Sequence, residues 1–165
     1  MKEVIQAFNE LKENAIISDF AIGGGVATIF YTEPIDTLDI DIFVILPNIS
    51  SLISLAGVYA SLSNKGFLPE GEYIKIGSTL AQVIVAPSPL EEEAIREANI
   101  TIYEGLPCKI FKAEHLITIC LRVGRSRDYY KASLLLEQAP LDKTLLETII
   151  TRYNLGTAWK KLTNK

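Results

Sequence analysis

The chain has 165 residues, of which 48% are apolar and 22% charged, with a formal net charge of −4. That balance excludes a disordered chain and suits one globular domain large enough to close a hydrophobic core. The negative charge also excludes a broad basic surface for long nucleic acids, whose affinity rests on neutralised phosphates, while leaving room for a small anion held by a few local cations.

Met1-Lys2-Glu3 runs straight into an amphipathic pattern, so no signal peptide is expected. Val4, Ile5, Phe8 and Leu11 recur at helical spacing and predict a helix over 3–13. Ile16 to Ile22 is apolar and β-branched and predicts a strand ending at Gly23-Gly24-Gly25, with a short helix over Val26–Tyr31 closed by Glu33-Pro34. Leu38 to Leu46 predicts a central strand, its first residues alternating and its end continuously apolar. Asp19, Asp39 and Asp41 interrupt the apolar stretches well before the ~20 residues of a membrane span, and a cytoplasmic protein is expected.

Residues 51–64 predict a helix stopped by Asn64-Lys65-Gly66. Tyr73–Ile76 and Leu80–Val85 flank Gly77-Ser78 as a hairpin. Ser88-Pro89-Leu90-Glu91 opens a further helix, with proline first and acids in the first turn. Ile100–Tyr103 and Cys108–Phe111 predict a second hairpin, and from Ala113 the pattern is helical, broken at Gly124, Pro140 and Asn154-Leu155-Gly156. The expected architecture is α/β, a single domain over 1–165 with a mixed sheet core (1–111) and a helical extension (112–165).

The chemistry concentrates between Ile22 and Val44. Glycines between a strand and a helix let the backbone approach a ligand, and amides there favour phosphate, although turns also use glycine for conformation alone. Asp39 and Asp41, two apart on a strand, project from one face and can converge on a hard cation; a solvated strand face is the plainer alternative for such a pair in isolation.

In this order, Gly24-Gly25-Val26-Ala27 followed by Thr37-Leu38-Asp39-Ile40-Asp41 resembles the signature of the DNA polymerase β-like nucleotidyltransferases, most of all the small AbiEii-type members. The resemblance implies a nucleotidyltransferase fold, Gly24, Gly25 and Thr37 at the nucleotide, and Asp39 and Asp41 holding Mg2+ or Mn2+. It implies transfer of a nucleoside monophosphate from a nucleoside triphosphate to an acceptor hydroxyl on an RNA end, a protein or a small molecule. Arg122-Val123-Gly124-Arg125-Ser126-Arg127-Asp128 resembles the basic segment of the same proteins, which implies that Arg125 and Arg127 contact the nucleotide; the alternative is a surface ion-pair cluster.

Two departures from that pattern stand out. Transferring members have a third carboxylate on a neighbouring strand, whereas Ala81–Val85 offers only Gln82, which can touch a metal but cannot act as a base. An Arg that precedes the Asp pair in many AbiEii-type proteins is replaced by Ile35. Asp36 falls in a loop and does not fill the gap. A second reading is therefore a binding module on the same fold, for a nucleotide or a protein partner of toxin–antitoxin type.

Elsewhere the expectations are structural. Glu91, Glu92 and Glu93 read as an acidic first helical turn, His115 as a solvated side chain, and Tyr129, Tyr130, Tyr153 and Trp159 as helix packing that could offer a stacking surface to a base. Cys108 and Cys120, without a zinc spacing, read as buried free thiols of a reducing compartment.

Overall fold

The computed structural model describes residues 1–47 and 54–164. In chain order the elements are α1 (Lys2–Glu13), β1 (Asp19–Ile22), α2 (Gly24–Ile29), β2 (Asp39–Ile45), α3 (Ser54–Asn64), β3 (Leu68–Glu70), β4 (Tyr73–Ile76), β5 (Thr79–Val85), α4 (Pro89–Arg96), β6 (Asn99–Tyr103), β7 (Leu106–Ile110), α5 (Ala113–Val123), α6 (Ser126–Gln138), α7 (Lys143–Arg152) and α8 (Gly156–Thr163). The strands form one mixed sheet in the order β3-β4-β5-β2-β1-β7-β6. The α/β class, both hairpins and all three breaks in the helical part follow the sequence reading. No helix among the described residues is long and apolar enough to cross a membrane.

Three local features differ from the sequence expectation, and a fourth lies partly outside the described residues. β1 starts at Asp19 because the chain leaves α1 through Ala15 at φ 55, and Ile16 and Ile17 donate back to the Leu11 carbonyl instead of joining the sheet. α2 begins two residues early, at Gly24. β3 was invisible in the pattern: Pro69 lies at its centre and all three residues are exposed, which only an edge strand tolerates. The helix expected over 51–64 is seen from Ser54, its first three residues lying outside the described ones.

The sheet has two unlike faces because alternate residues point to opposite sides. Ile40, Ile42 and Val44 of β2 share a face with Phe20 and Ile22 of β1, their register partners being Phe20↔Val44 and Ile22↔Ile42. α1 covers that face, with Phe8 stacked against Phe20 at 5.7 Å between ring centroids. Parallel pairing of β2 with β5 adds Ala81 and Val83 to the same buried layer. Asp39, Asp41 and Phe43 therefore face the other way, where α2 packs on β2 and then against α5 and α6.

Candidate active site

Asp39 and Asp41 project from the first residues of β2, both half-buried, into a cleft of about 1050 Å³. The floor below them is apolar, with Phe43 against Phe111 at 4.9 Å between centroids. Burial, and then the charge of Asp39, push the Asp41 carboxyl above its ordinary range; Lys131, Arg127 and the Gly25 amide pull the other way without cancelling this.

The glycines are shaped around this carboxylate. Gly24 sits at φ +57, and a Cβ there would lie 1.6 Å from Asp41 Oδ2. A Cβ on Gly25 would lie 2.7 Å from Thr37 Oγ1. Gly25 donates its amide to Asp41, and Gly23 donates to the Asp41 carbonyl at 2.9 Å. The Thr37 hydroxyl donates to the Asp39 carbonyl at 3.1 Å, so it holds the start of β2 while lining the cleft.

Gln82 is the register partner of Asp41 on β5, and Tyr73 on β4 is in turn the register partner of Gln82. All three residues share the cleft face. The Gln82 amide Nε2 donates to the Glu72 carboxylate at 3.2 Å, and its Oε1 has no hydrogen-bond partner among the described residues. Glu72, in the turn between β3 and β4, is the acid that the sequence pattern missed; only the closing of the hairpin brings it beside Gln82. Among the described residues no three His, Cys, Asp or Glu side chains converge as a ready metal cage. Two adjacent carboxylates under mutual repulsion, with one amide oxygen beside them, fit a divalent cation that draws its remaining oxygens from a ligand.

The opposite wall is cationic. Arg125, Arg127 and Lys131 line the cleft from α6 and its cap, and Arg122 from the end of α5. Arg125 Nε binds the buried Asp128 carboxylate at 2.7 Å, and Lys131 approaches the same group at 3.7 Å. Asp128 also accepts from the Arg125 amide, capping α6, so this cluster is an anchored part of the cleft wall and not a solvated surface network. Burial alone would raise the Asp128 carboxyl, but the Arg125 hydrogen bond and charge hold it below its usual range. Arg127 is exposed and makes no ion pair among the described residues.

Two of the structural expectations need correction, those for His115 and Tyr130. His115 is fully buried, not solvated: Nε2 lies 3.4 Å from Glu93 Oε1 and Nδ1 has no partner among the described residues. Glu91 and Glu92 lie in the acidic first turn of α4 as expected, and Glu91 is also buried and bound by Arg122, while its Oε2 accepts from the Ser88 hydroxyl at 2.6 Å. Glu93 receives Arg152 at 2.6 Å and the Tyr153 hydroxyl at 2.7 Å, which leaves Glu92, paired with Arg96, as the surface acid. Tyr129 packs as expected, whereas Tyr130 is exposed at the cleft edge. Cys108 and Cys120 are buried and unlinked, and burial pushes the Cys120 thiol up to about 11.

No protein-family model matches the chain, and none of the curated proteins matches it. Solved structures do. ANT(2'')-Ia in complex with adenylyl-2''-tobramycin superposes with a TM-score of 0.54 at 17% identity, over 94% of this chain and 97% of that one. An antigenic nucleotidyltransferase-like protein from Paracoccidioides brasiliensis gives 0.52 at 18% identity, over 95% and 90%. The solution structure of ANT(2'')-Ia gives 0.53 at 16% identity, over 95% and 92%.

Proposed function

From a chain with the nucleotidyltransferase fold, we infer a transferase that moves a nucleoside monophosphate from a nucleoside triphosphate to an acceptor hydroxyl. One observation carries the reading: two carboxylates on one strand face meet a cationic helix across a cleft, with glycine backbone closing the gap between them. Asp39 and Asp41, with the Gln82 amide oxygen, would hold Mg2+ or Mn2+. Such a cation, when bound, neutralises phosphate charge and polarises the α-phosphate. Gly24, Gly25 and Thr37 line the approach to the phosphates, Arg127 and Lys131 offset the triphosphate charge, and Arg125 orders the helix that carries them. The sheet core (1–111) and the helical extension (112–165) act as one domain, since the cleft takes its acids from the first and its cations from the second. Adenylyl-tobramycin, held by one structural neighbour, is the kind of product such a reaction yields. The Gly-Gly and Asp-x-Asp spacing supports the AbiEii-type subgroup as the finer assignment.

The absence of a carboxylate at Gln82 supports a second reading, in which the cleft binds nucleotide or a protein partner without efficient transfer. The transferase and the nucleotide-binding form of the second reading both require metal and triphosphate to bind as a pair. Ligands that bind only the folded state stabilise it by RT ln(1 + [L]/Kd), about 2.7 kcal/mol at a hundredfold excess over Kd. Thermal unfolding should therefore shift strongly with Mn2+ and a triphosphate together, weakly with either alone, and not at all in Asp39→Asn. Arg127→Ala should shrink the joint shift while leaving the ligand-free midpoint in place. Pyrophosphate release separates the transferase from the binding module, and no joint shift in the wild type would remove both nucleotide readings and leave the protein-partner form.

A further inference from the structure

The in-line geometry of phosphoryl transfer places the nucleophile opposite the leaving pyrophosphate. In this cleft the cations lie on α6, which packs against α2 beyond β2, and the sheet continues away from them through β5 to β4. The nucleophile's side is therefore the side of β4 and its turn. That side presents one hydroxyl: the phenol of Tyr73, half-buried at the cleft wall. The other cleft hydroxyls are misplaced for attack. Thr37 spends its proton on the Asp39 carbonyl, and Tyr130 stands on α6 among the cations.

Tyr73 shares the cleft face with Asp41 through the register Tyr73↔Gln82↔Asp41, so the two backbones are about two strand spacings, roughly 10 Å, apart. That span leaves room for a phosphate between phenol and carboxylates. The negative field of Glu72, then burial, then Asp39 raise the Tyr73 phenol above its ordinary range. Glu72, next to Tyr73 in the chain, lines the same cleft and is held by the Gln82 amide at 3.2 Å, so a carboxylate able to accept a proton stands on the phenol's side of the cleft.

We propose that Tyr73 is itself an acceptor: its phenol oxygen takes a nucleoside monophosphate from a bound triphosphate, and Glu72 receives the proton. The phenol O–H bond breaks toward the Glu72 carboxylate, an oxygen–phosphorus bond forms at the α-phosphate, and pyrophosphate leaves with the electron pair of the broken bridging bond. The proposal rests on the transferase reading. It gives the Gln82 amide nitrogen a role beside that of its oxygen, as the group that positions Glu72.

The test is intact-mass and peptide mass spectrometry of the whole chain after incubation with ATP, GTP, CTP or UTP and Mn2+, alongside thermal shifts with the same additions. The expected result is a gain of one nucleoside monophosphate per chain, localised to Tyr73, absent in Tyr73→Phe and in Asp39→Asn. Tyr73→Phe should keep the joint metal–nucleotide shift, which shows that its cleft is intact. Glu72→Gln should slow labelling by about 100-fold at neutral pH, with the joint shift retained. An adduct that persists in Tyr73→Phe, or no adduct in a wild type that shows the joint shift, overturns the proposal and leaves the transferase reading standing. No adduct and no joint shift overturns both. Labelling at the wild-type rate in Glu72→Gln overturns the role given to Glu72.

Discussion

Asp41 holds an ionised carboxylate where the fold disfavours charge. Its carboxyl is raised, first by burial and then by Asp39, so the folded state binds protons more tightly than the unfolded chain. With the folded value above the unfolded one, this residue's contribution to stability falls as pH rises from 3.8 through the folded value. At neutral pH it is a net penalty. Asp41→Asn should therefore raise the ligand-free melting point while losing the metal–nucleotide shift; each 1 kcal/mol gained corresponds to roughly 2–4 °C in a chain of this size. A lower melting point for the ligand-free variant at pH 7 would contradict the assignment. His115 runs to the opposite sign. Burial lowers its imidazole below 6.5 against the pull of Glu93, with Lys112 adding to the lowering and Glu114 opposing it. The unfolded chain then binds the proton first, and stability is lost as pH falls from 6.5 through the folded value. Urea midpoints should drop between pH 8 and 5.5, and His115→Gln should flatten that drop. Glu93, held low by Tyr153 and Arg152 despite its burial, enters only below the ordinary glutamate range.

At the scale of elements, α2 is short, carries no side-chain cap, and is defined by how its glycines meet β2. Gly24 combines a left-handed backbone with the closest approach of any glycine in the chain to a side chain, the 1.6 Å between its built Cβ and Asp41 Oδ2. Gly24→Ala must strain the backbone and displace the carboxylate together. We expect a loss of roughly 1–3 kcal/mol and no joint metal–nucleotide shift. Gly57, inside α3 with nothing among the described residues within 4 Å of the position a Cβ would take, is the control. Gly57→Ala should stabilise the protein by about 0.5–1 kcal/mol through helix propensity alone. Equal effects at the two positions in chemical denaturation would mean that the close approach at Gly24 has no energetic weight.

At the scale of the molecule, the helical extension is tied to the sheet core through α4. Arg122 of α5 binds Glu91 and Ser88, Arg152 and Tyr153 bind Glu93, and Glu91 is only 1% exposed. Arg122→Ala would leave that carboxylate buried without its cation. Removing one partner of a fully buried pair costs about 3–5 kcal/mol; with Arg122 one-third exposed, about 2–3 kcal/mol is expected here. Adding Glu91→Gln should restore most of it, and a double variant no more stable than Arg122→Ala would show that the pair does not carry the contact.

These scales separate what sequence by itself determined from what required the tertiary structure. The sheet and helix pattern was legible because periodicity is local: alternation made β2, the 3.6-residue repeat made α1, and Ser88-Pro89 capped α4 where the rules of helix starts place it. The shared face of Asp39 and Asp41 followed from strand geometry alone. The placement of Glu72, His115 and Glu91 did not. Glu72 stands just before β4 and meets Gln82 across the β4–β5 hairpin; the hairpin was legible, but its register, which sets Tyr73 against Gln82, was not. His115 looks like a solvated helix residue until α5 packs against α4, and the burial of Glu91 is likewise unmarked, because burial is a property of what lands on a residue and not of its neighbours in the chain. The acids of the cleft belong to one strand and could be read; the cations facing them and the carboxylate beside Gln82 come from elements distant in sequence, and only packing decides that they share a site.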